Sequence, residues 1–264
     1  MTDSGSVSVS RAARGVCEVR MNRPQVYNAF DETMIAALDQ TFARLADDPA
    51  VRVVILAGAG KHFSAGADLQ WMQRQSQASE ADNRADALRF ARMLERIASF
   101  PKPTVARLQG AALGGGVGLT CCCDIVVAAD SANFAVSEAR FGLIPAIIGP
   151  HLVNAVGHRQ ARRLALTAER IKAAEALRIG LVHRVVAAEE LDEAVQAVVL
   201  ELLGAGPQAQ QAIKDYLIRL PLGPVDAQTL EYSAVTNSRI RSSAEAREGF
   251  SAFLEKRPAR WTQS

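Results

Sequence analysis

The chain has 264 residues, 49% of them hydrophobic, enough to bury a substantial core without disulfides or a structural metal. Its 30 Lys plus Arg against 28 Asp plus Glu leave a net charge of +2, which excludes the one-sided basic balance of a dedicated nucleic-acid binder and leaves any anionic partner to be met locally. No stretch approaches the length of a membrane span, and the Ser-rich, polar N-terminus lacks a hydrophobic signal core, so the expected location is the cytoplasm.

In chain order, the first ten residues read as a frayed tail, and Val16 to Met21 alternate as a half-buried strand. Asn22-Arg23-Pro24 breaks that strand. Met34, Ile35, Leu38, Phe42 and Leu45 then recur at helical spacing behind Asp31, a plausible N-cap. Val51 to Ala57 is an apolar run interrupted only by Arg52, the mark of a strand covered on both faces. Leu69 to Ser99 reads as largely helical, Pro103 to Leu108 as a short strand, and Ile125 to Ala129 as another after Asp124. Cys121, Cys122 and Cys123 are consecutive and Cys17 has no spaced partner, so the cysteines read as small buried residues in a reducing compartment, with no metal site. Strands end with Val182 to Val186. Helices are expected over 189–203, 207–219, 227–239 and 244–255, forming a separate C-terminal helical region punctuated by Gly-Pro pairs. The strand–helix alternation before it predicts an α/β layer architecture.

Two side-chain-poor turns each follow an expected strand and open an expected helix: Phe63-Ser64-Ala65-Gly66-Ala67-Asp68-Leu69, and the run from Gly110 through Gly114-Gly115-Gly116 to Leu119. Such turns leave amides unpaired at a helix start, where the helix dipole also favours an anion. Glycine turns also occur for steric reasons alone. The second turn is neither a dinucleotide fingerprint, since no acidic residue follows a second strand at the required distance, nor a P-loop, since Gly-Lys-Ser/Thr is absent.

The order of motifs resembles the crotonase (enoyl-CoA hydratase/isomerase) superfamily across nearly the whole chain. It comprises Met21-Asn22-Arg23-Pro24 with Asn28-Ala29-Phe30, the two turns, Lys102-Pro103-Thr104, Cys123-Asp124-Ile125, Ser137-Glu138, Gly142-Leu143-Ile144-Pro145, and Glu248-Gly249-Phe250 with Glu255-Lys256-Arg257. The resemblance implies a crotonase-type spiral of ββα units over residues 1–199, carrying the CoA and active site. It also implies a helical oligomerisation region over 200–264 that forms trimers, commonly paired into hexamers. It makes the backbone amides of Ala67 and Gly115 an oxyanion hole for a thioester enolate, Glu138 the acid/base, and Ala65 a backbone contact to the adenine, with Asp68 in the same substrate-binding turn. Lys61 and Lys256 match positions that contact CoA phosphates, the second often from a neighbouring subunit, although either would pass as a solvated surface lysine. Coenzyme A belongs to the substrate, so no separate cofactor is expected.

The chain departs from the family at Gly118, where well-known hydratases carry a second glutamate, and in the loop from Pro145 to Pro150 ahead of His151. His151 is either a substitute for the missing group or an ordinary helix-start histidine. The Gly114 to Leu119 run, Ser137-Glu138-Ala139-Arg140 and Gly142 to Ala146 are closer to the bacterial branch similar to 3-methylglutaconyl-CoA and isohexenylglutaconyl-CoA hydratases. Leu113 and Ala135 stand where bulkier side chains are expected in short-substrate members, and Arg140 is a candidate donor to a distal carboxylate. The leading reading is hydration of a branched, carboxylated enoyl-CoA in isoprenoid or leucine catabolism. A double-bond isomerase is the alternative, since one carboxylate suffices to move a proton. From another class, a noncatalytic CoA- or RNA-binding scaffold is disfavoured on its RNA side by the near-neutral charge and the lack of a basic, aromatic-interleaved patch.

Overall fold

A computed structural model describes residues 2–3, 5–221 and 223–262. In chain order the strands and α-helices are β1 (Thr2–Asp3), β2 (Val7–Arg11), β3 (Val16–Met21), α1 (Glu32–Asp47), β4 (Val53–Gly58), α2 (Leu69–Ser76), α3 (Glu80–Ala98), β5 (Thr104–Leu108), β6 (Ala111–Leu113), α4 (Gly115–Cys122), β7 (Ile125–Ala129), β8 (Asn133–Ala135), α5 (Gly149–Thr167), β9 (Ile171–Lys172), α6 (Ala173–Arg178), β10 (Arg184–Val186), α7 (Leu191–Gly204), α8 (Pro207–Leu217), α9 (Ala227–Arg241) and α10 (Ala244–Leu254). One sheet has the order β1-β2-β3-β4-β5-β7-β10 and the other β6-β8-β9. From β3 onward every pairing in the larger sheet is parallel.

Successive units feed both sheets. Strand β5 passes to β6 and then α4, and β7 passes to β8 and then α5. After β4 the chain reaches Ser64, which bridges Ala112 of β6 in parallel. This is the mixed α/β spiral that the motifs imply. β6 escapes a sequence reading because three residues are too few to show a period of two, whereas β8 overlaps the strand-like apolar stretch Phe134 to Val136 ahead of Glu138.

The unbroken apolar run of β4 has a simple cause. Val54 and Leu56 face the main core, with Met34, Leu38 and Phe42 of α1 and Met93, Leu94 and Ile97 of α3. Val53 and Ile55 face a second cluster closed by Leu191, Val195, Val199 and Leu203 of α7. Because α7 lies on this sheet face, the expected boundary between residues 199 and 200 falls within that helix.

The expected frayed N-terminus is corrected: β2 pairs antiparallel with β3, and Val7 and Val9 are buried. Its Ser-Val alternation is a period-two signal hidden by polar composition. The largely helical stretch expected over 69–99 consists of two helices, because Ser79 caps a new start by accepting from the Asp82 amide. Asp31 caps α1 as expected, accepting from the Met34 amide at 2.8 Å.

Before α1, the buried Asn28 holds the left-handed φ of 55°. Its Nδ2 donates to the Ala59 and His62 carbonyls, both at 2.8 Å, and its Oδ1 accepts from the Arg23 amide at 2.9 Å. Arg23 in turn pairs with Asp31 at 2.9 Å and Asp68 at 3.2 Å. The Asn28→Ala variant removes the partner of three partly buried backbone groups and places alanine at positive φ. We expect a loss of about 3 kcal/mol, read by chemical denaturation at fixed protein concentration. A loss under about 1 kcal/mol would show that water or backbone shifts replace those bonds.

Candidate active site

The two turns are laced together through their backbones. The Ser64 amide donates to the Ala111 carbonyl and the Leu113 amide to the Ser64 carbonyl, each at 3.0 Å. Two glycines permit this approach. A methyl group on Gly66, whose φ is 89°, would lie 2.8 Å from the Leu113 carbonyl oxygen, and one on Gly116 would lie 2.9 Å from the Ser64 carbonyl oxygen. On the other side, the Phe30 amide donates to the Gly66 carbonyl at 2.7 Å and the Asp68 amide to the Phe30 carbonyl at 2.8 Å. Ala67 and Gly115 are thus each one residue from the contact between the turns. Among the described residues neither of their amides donates a hydrogen bond within the chain. For Gly115 the reason is its place as first residue of α4, where no acceptor lies one turn back.

Behind Gly115 stands an aromatic wall. Phe30 and Phe90 pack with centroids 5.5 Å apart, and a methyl on Gly115 would lie 2.8 Å from Phe90 Cζ. This backing leaves no room for a side chain at Gly115.

Glu138 enters from the end of β8, at the start of a 3₁₀ turn over Glu138–Phe141 that Gly142 closes at φ 72°. A methyl on Gly114 would lie 3.3 Å from Glu138 Oε1. Glu138 Oε2 is buried and has no hydrogen-bond partner among the described residues. Burial pushes the Glu138 pKa up, opposed by the Glu138 and Ser137 amides. A carboxyl whose neutral form is favoured this way can both take and return a proton.

The other sequence-derived positions divide clearly. Leu113 and Ala135 are register partners on β6 and β8, and with Ser137, Arg140, Ala168 and Arg170 they line a cavity of about 340 Å³. Arg140 Nε donates to the Ala168 carbonyl at 3.1 Å. Asp68 is occupied by structure: it caps α2 through the Gln70 and Trp71 amides and pairs with Arg23. Ala65 is tied down, its amide donating to the Tyr27 carbonyl at 2.9 Å. Lys61 is exposed beside the first turn.

Lys256 is also exposed, but this chain does not bring it to Lys61. It follows α10, and the segment after it returns to Gly204 through Trp261 and to Arg52, ahead of β4, whereas Lys61 lies past the other end of that strand. His151 is half-buried on α5 with its pKa lowered by burial, and the acidic charge acting on it is Glu95, not Glu138. Cys123 is buried, and burial pushes its thiol up to about 12, so it stays protonated at neutral pH.

At Gly118 the structure supplies a reason for the missing glutamate. A Cβ there would overlap Ile148 Cγ2, and Leu94 Cδ1 lies 3.5 Å away. Ile148, itself buried, fills the space. Gly118→Glu is therefore expected to destabilise the fold by about 2 kcal/mol or more, and adding Ile148→Ala to recover part of that loss in thermal denaturation. A single variant as stable as the parent would remove Ile148 as the obstacle. Phe90 and Arg170 carry no signal in the sequence and Ile148 shows there only as part of the altered Pro145 to Pro150 loop, because each meets the site through tertiary contacts.

Paired amide-bearing turns on an α/β spiral, with a glutamate beside them whose Oε2 is buried, are an arrangement that can hold an oxyanion and move a proton next to it. The model of the enoyl-CoA hydratase/isomerase family matches residues 11–264, and the chain belongs to that family as one of its enzymes. A putative enoyl-CoA hydratase of Thermus thermophilus is 36% identical over 247 residues, covering 93% of this chain and 97% of that protein. Among solved structures, an enoyl-CoA hydratase from Shewanella pealeana matches with a TM-score of 0.94 and 40% identity over 98% of this chain and 97% of the other. Pseudomonas aeruginosa AtuE matches with a TM-score of 0.93 and 36% identity over 98% and 100% of the two chains.

Proposed function

We propose that the protein hydrates the conjugated double bond of a branched, carboxylated enoyl-CoA of the 3-methylglutaconyl or isohexenylglutaconyl type, in isoprenoid or leucine catabolism. The observation that carries the chemistry is Glu138 Oε2, buried without a partner next to the glycine turn that leaves the Gly115 amide free. In this reading the thioester oxygen sits on the Ala67 and Gly115 amides, which hold the charge that develops as water adds. Glu138 takes one proton from water while the water oxygen bonds to C3, and returns that proton to C2 of the enolate. Every atom of water ends in the product, and one carboxylate serves both transfers.

Leu113, Ala135 and Arg140 on one cavity support the substrate class, with apolar wall for a branch and a guanidinium for a carboxylate. Lys61, and Lys256 of a neighbouring copy, are proposed to meet the CoA phosphates, and the Ala65 backbone the adenine. We also infer that residues 1–199 hold the site and 200–264 assemble a trimer or hexamer. Leu217, Leu230, Phe250 and Phe253, each more than half exposed, support that inference. No described helix is long and apolar enough to cross a membrane, and cytoplasmic placement is part of the same proposal.

Steady-state kcat/KM for crotonyl-, 3-methylglutaconyl- and isohexenylglutaconyl-CoA tests the reading. Hydration appears as loss of enoyl absorbance, and the two branched thioesters are expected to exceed crotonyl-CoA. Should crotonyl-CoA win, the substrate assignment fails. Each additional buried CH₂ of the longer branch contributes about 0.8 kcal/mol, so isohexenylglutaconyl-CoA is expected to match or exceed the methyl compound. The closure of the Gly118 position by Ile148 favours one alternative, a double-bond isomerase, because moving a proton between two carbons needs no second carboxylate. A β,γ-enoyl thioester would then give a gain of absorbance.

A further inference from the structure

Arginines are frequently paired in this chain: Arg23, Arg74, Arg96, Arg163 and Arg257, among others, each face a carboxylate. The cavity bounded by Leu113, Ala135, Ser137 and Ala168 is different. It is lined by two guanidinium groups, Arg140 and Arg170, and neither pairs with an acidic side chain among the described residues. Arg140 has one Nε–H on the Ala168 carbonyl, which sets its direction and leaves its terminal nitrogens for another acceptor. Arg170 has no hydrogen bond to any described residue, and it joins Lys61 in disfavouring charge on His62. The cavity therefore presents two uncompensated positive charges over an apolar floor, a setting that favours an anion with two oxygens.

We infer that Arg140 and Arg170 together form a carboxylate subsite for the distal acid group of the acyl chain, Arg170 being a specificity-determining residue of the reaction. This rests on the carboxylated-substrate reading above and extends it from one candidate donor to a pair. Arg170 acts on His62 together with Lys61, and it is the cavity's lining that favours the acyl acid over a CoA phosphate. The cavity shares Ser137 with the reaction centre, and a methyl on Gly114 would lie 3.7 Å from Ser137 Oγ and 3.3 Å from Glu138 Oε1. The phosphates of coenzyme A are separated from the thioester by the whole pantetheine arm, whereas a glutaconyl carboxylate is only two carbons beyond the double-bond carbon C3.

The test compares 3-methylglutaconyl-CoA with 3-methylcrotonyl-CoA, which lacks only the carboxylate, in the parent enzyme, Arg170→Met and Arg170→Lys. The kcat/KM ratio of the two thioesters is expected to fall about 30-fold or more in Arg170→Met and to recover to within several-fold of the parent in Arg170→Lys. Inhibition by free coenzyme A should hold within about twofold throughout, since its phosphates are not the ligand of Arg170. A parent enzyme with no preference for the carboxylated thioester would sink the substrate reading itself. If the parent prefers it and Arg170→Met keeps the ratio, the substrate reading stands and the arginine pair is overturned. A parallel weakening of both thioesters and of free coenzyme A in Arg170→Met assigns the anion to a phosphate and overturns the proposal. Arg170 is exposed and its side chain bonds to none of the described residues, so each variant is expected to melt with the parent.

Discussion

Replacing Glu138 by glutamine should lower turnover at least about a hundredfold while the protein folds normally, the lower range for loss of a general acid/base. Glutamine keeps the size of the side chain and removes only its ability to exchange a proton. The second half of this expectation concerns stability. Burial raises the Glu138 pKa in the folded state, so the native protein holds that proton more tightly than the unfolded chain does. A carboxyl raised this way loses native stability as pH rises from the ordinary glutamate range through the folded pKa, because the native state must then ionise a desolvated group. Glutamine has no such group. The melting temperature of Glu138→Gln relative to the parent should therefore increase with pH across that interval and level off above it. Near-parental turnover would remove Glu138 from the chemistry, and a melting difference independent of pH would show that its carboxyl is not desolvated.

Gly115→Pro should abolish measurable hydration, with an expected loss of about 10²–10³-fold from the missing amide alone. Gly115 is the first residue of α4, a position where proline is tolerated because its N–H has no helical partner. The complication is steric: any Cβ at 115 meets Phe90 and Phe30. Gly115→Ala carries the same Cβ and keeps the amide, so the difference between the two variants isolates the hydrogen-bond donor from the clash. Alanine is expected to lose stability through overpacking, about 1–3 kcal/mol, yet to retain far more turnover than proline. Equal activity in the two variants, with matching circular dichroism, would mean that the Gly115 amide does not hold the oxyanion.

The cavity-lining and packing residues divide the sequence from the fold. Asp31 and the helix it caps were readable because a cap and a 3.6-residue period are local properties, and the continuous apolar run of β4 announced a strand covered on both faces. The glycine turns, Glu138 and the departure at Gly118 were readable as motifs, because each occupies a few consecutive residues. By contrast, Asp31 reads in sequence as a cap and Asp68 as part of the substrate-binding turn, and only the tertiary structure shows that both pair with Arg23.

By itself, then, the sequence determined strands and helices where an apolar periodicity runs for several residues, though not the Ser-Val alternation of β2, and it placed the chain in its family through ordered motifs. The tertiary structure decided what no local pattern encodes. It brought Ser64 to Ala111 and Leu113, so that two turns nearly fifty residues apart leave bare amides one residue on either side of their contact. It put Ile148 into the space of a glutamate at 118, and it set Arg170 of the α5–β9 connection on the same cavity as Arg140. The physical reason is common to all three. Close packing and charge compensation depend on which atoms meet across the spiral, and those meetings are set by how whole units stack rather than by the residues beside them in the chain.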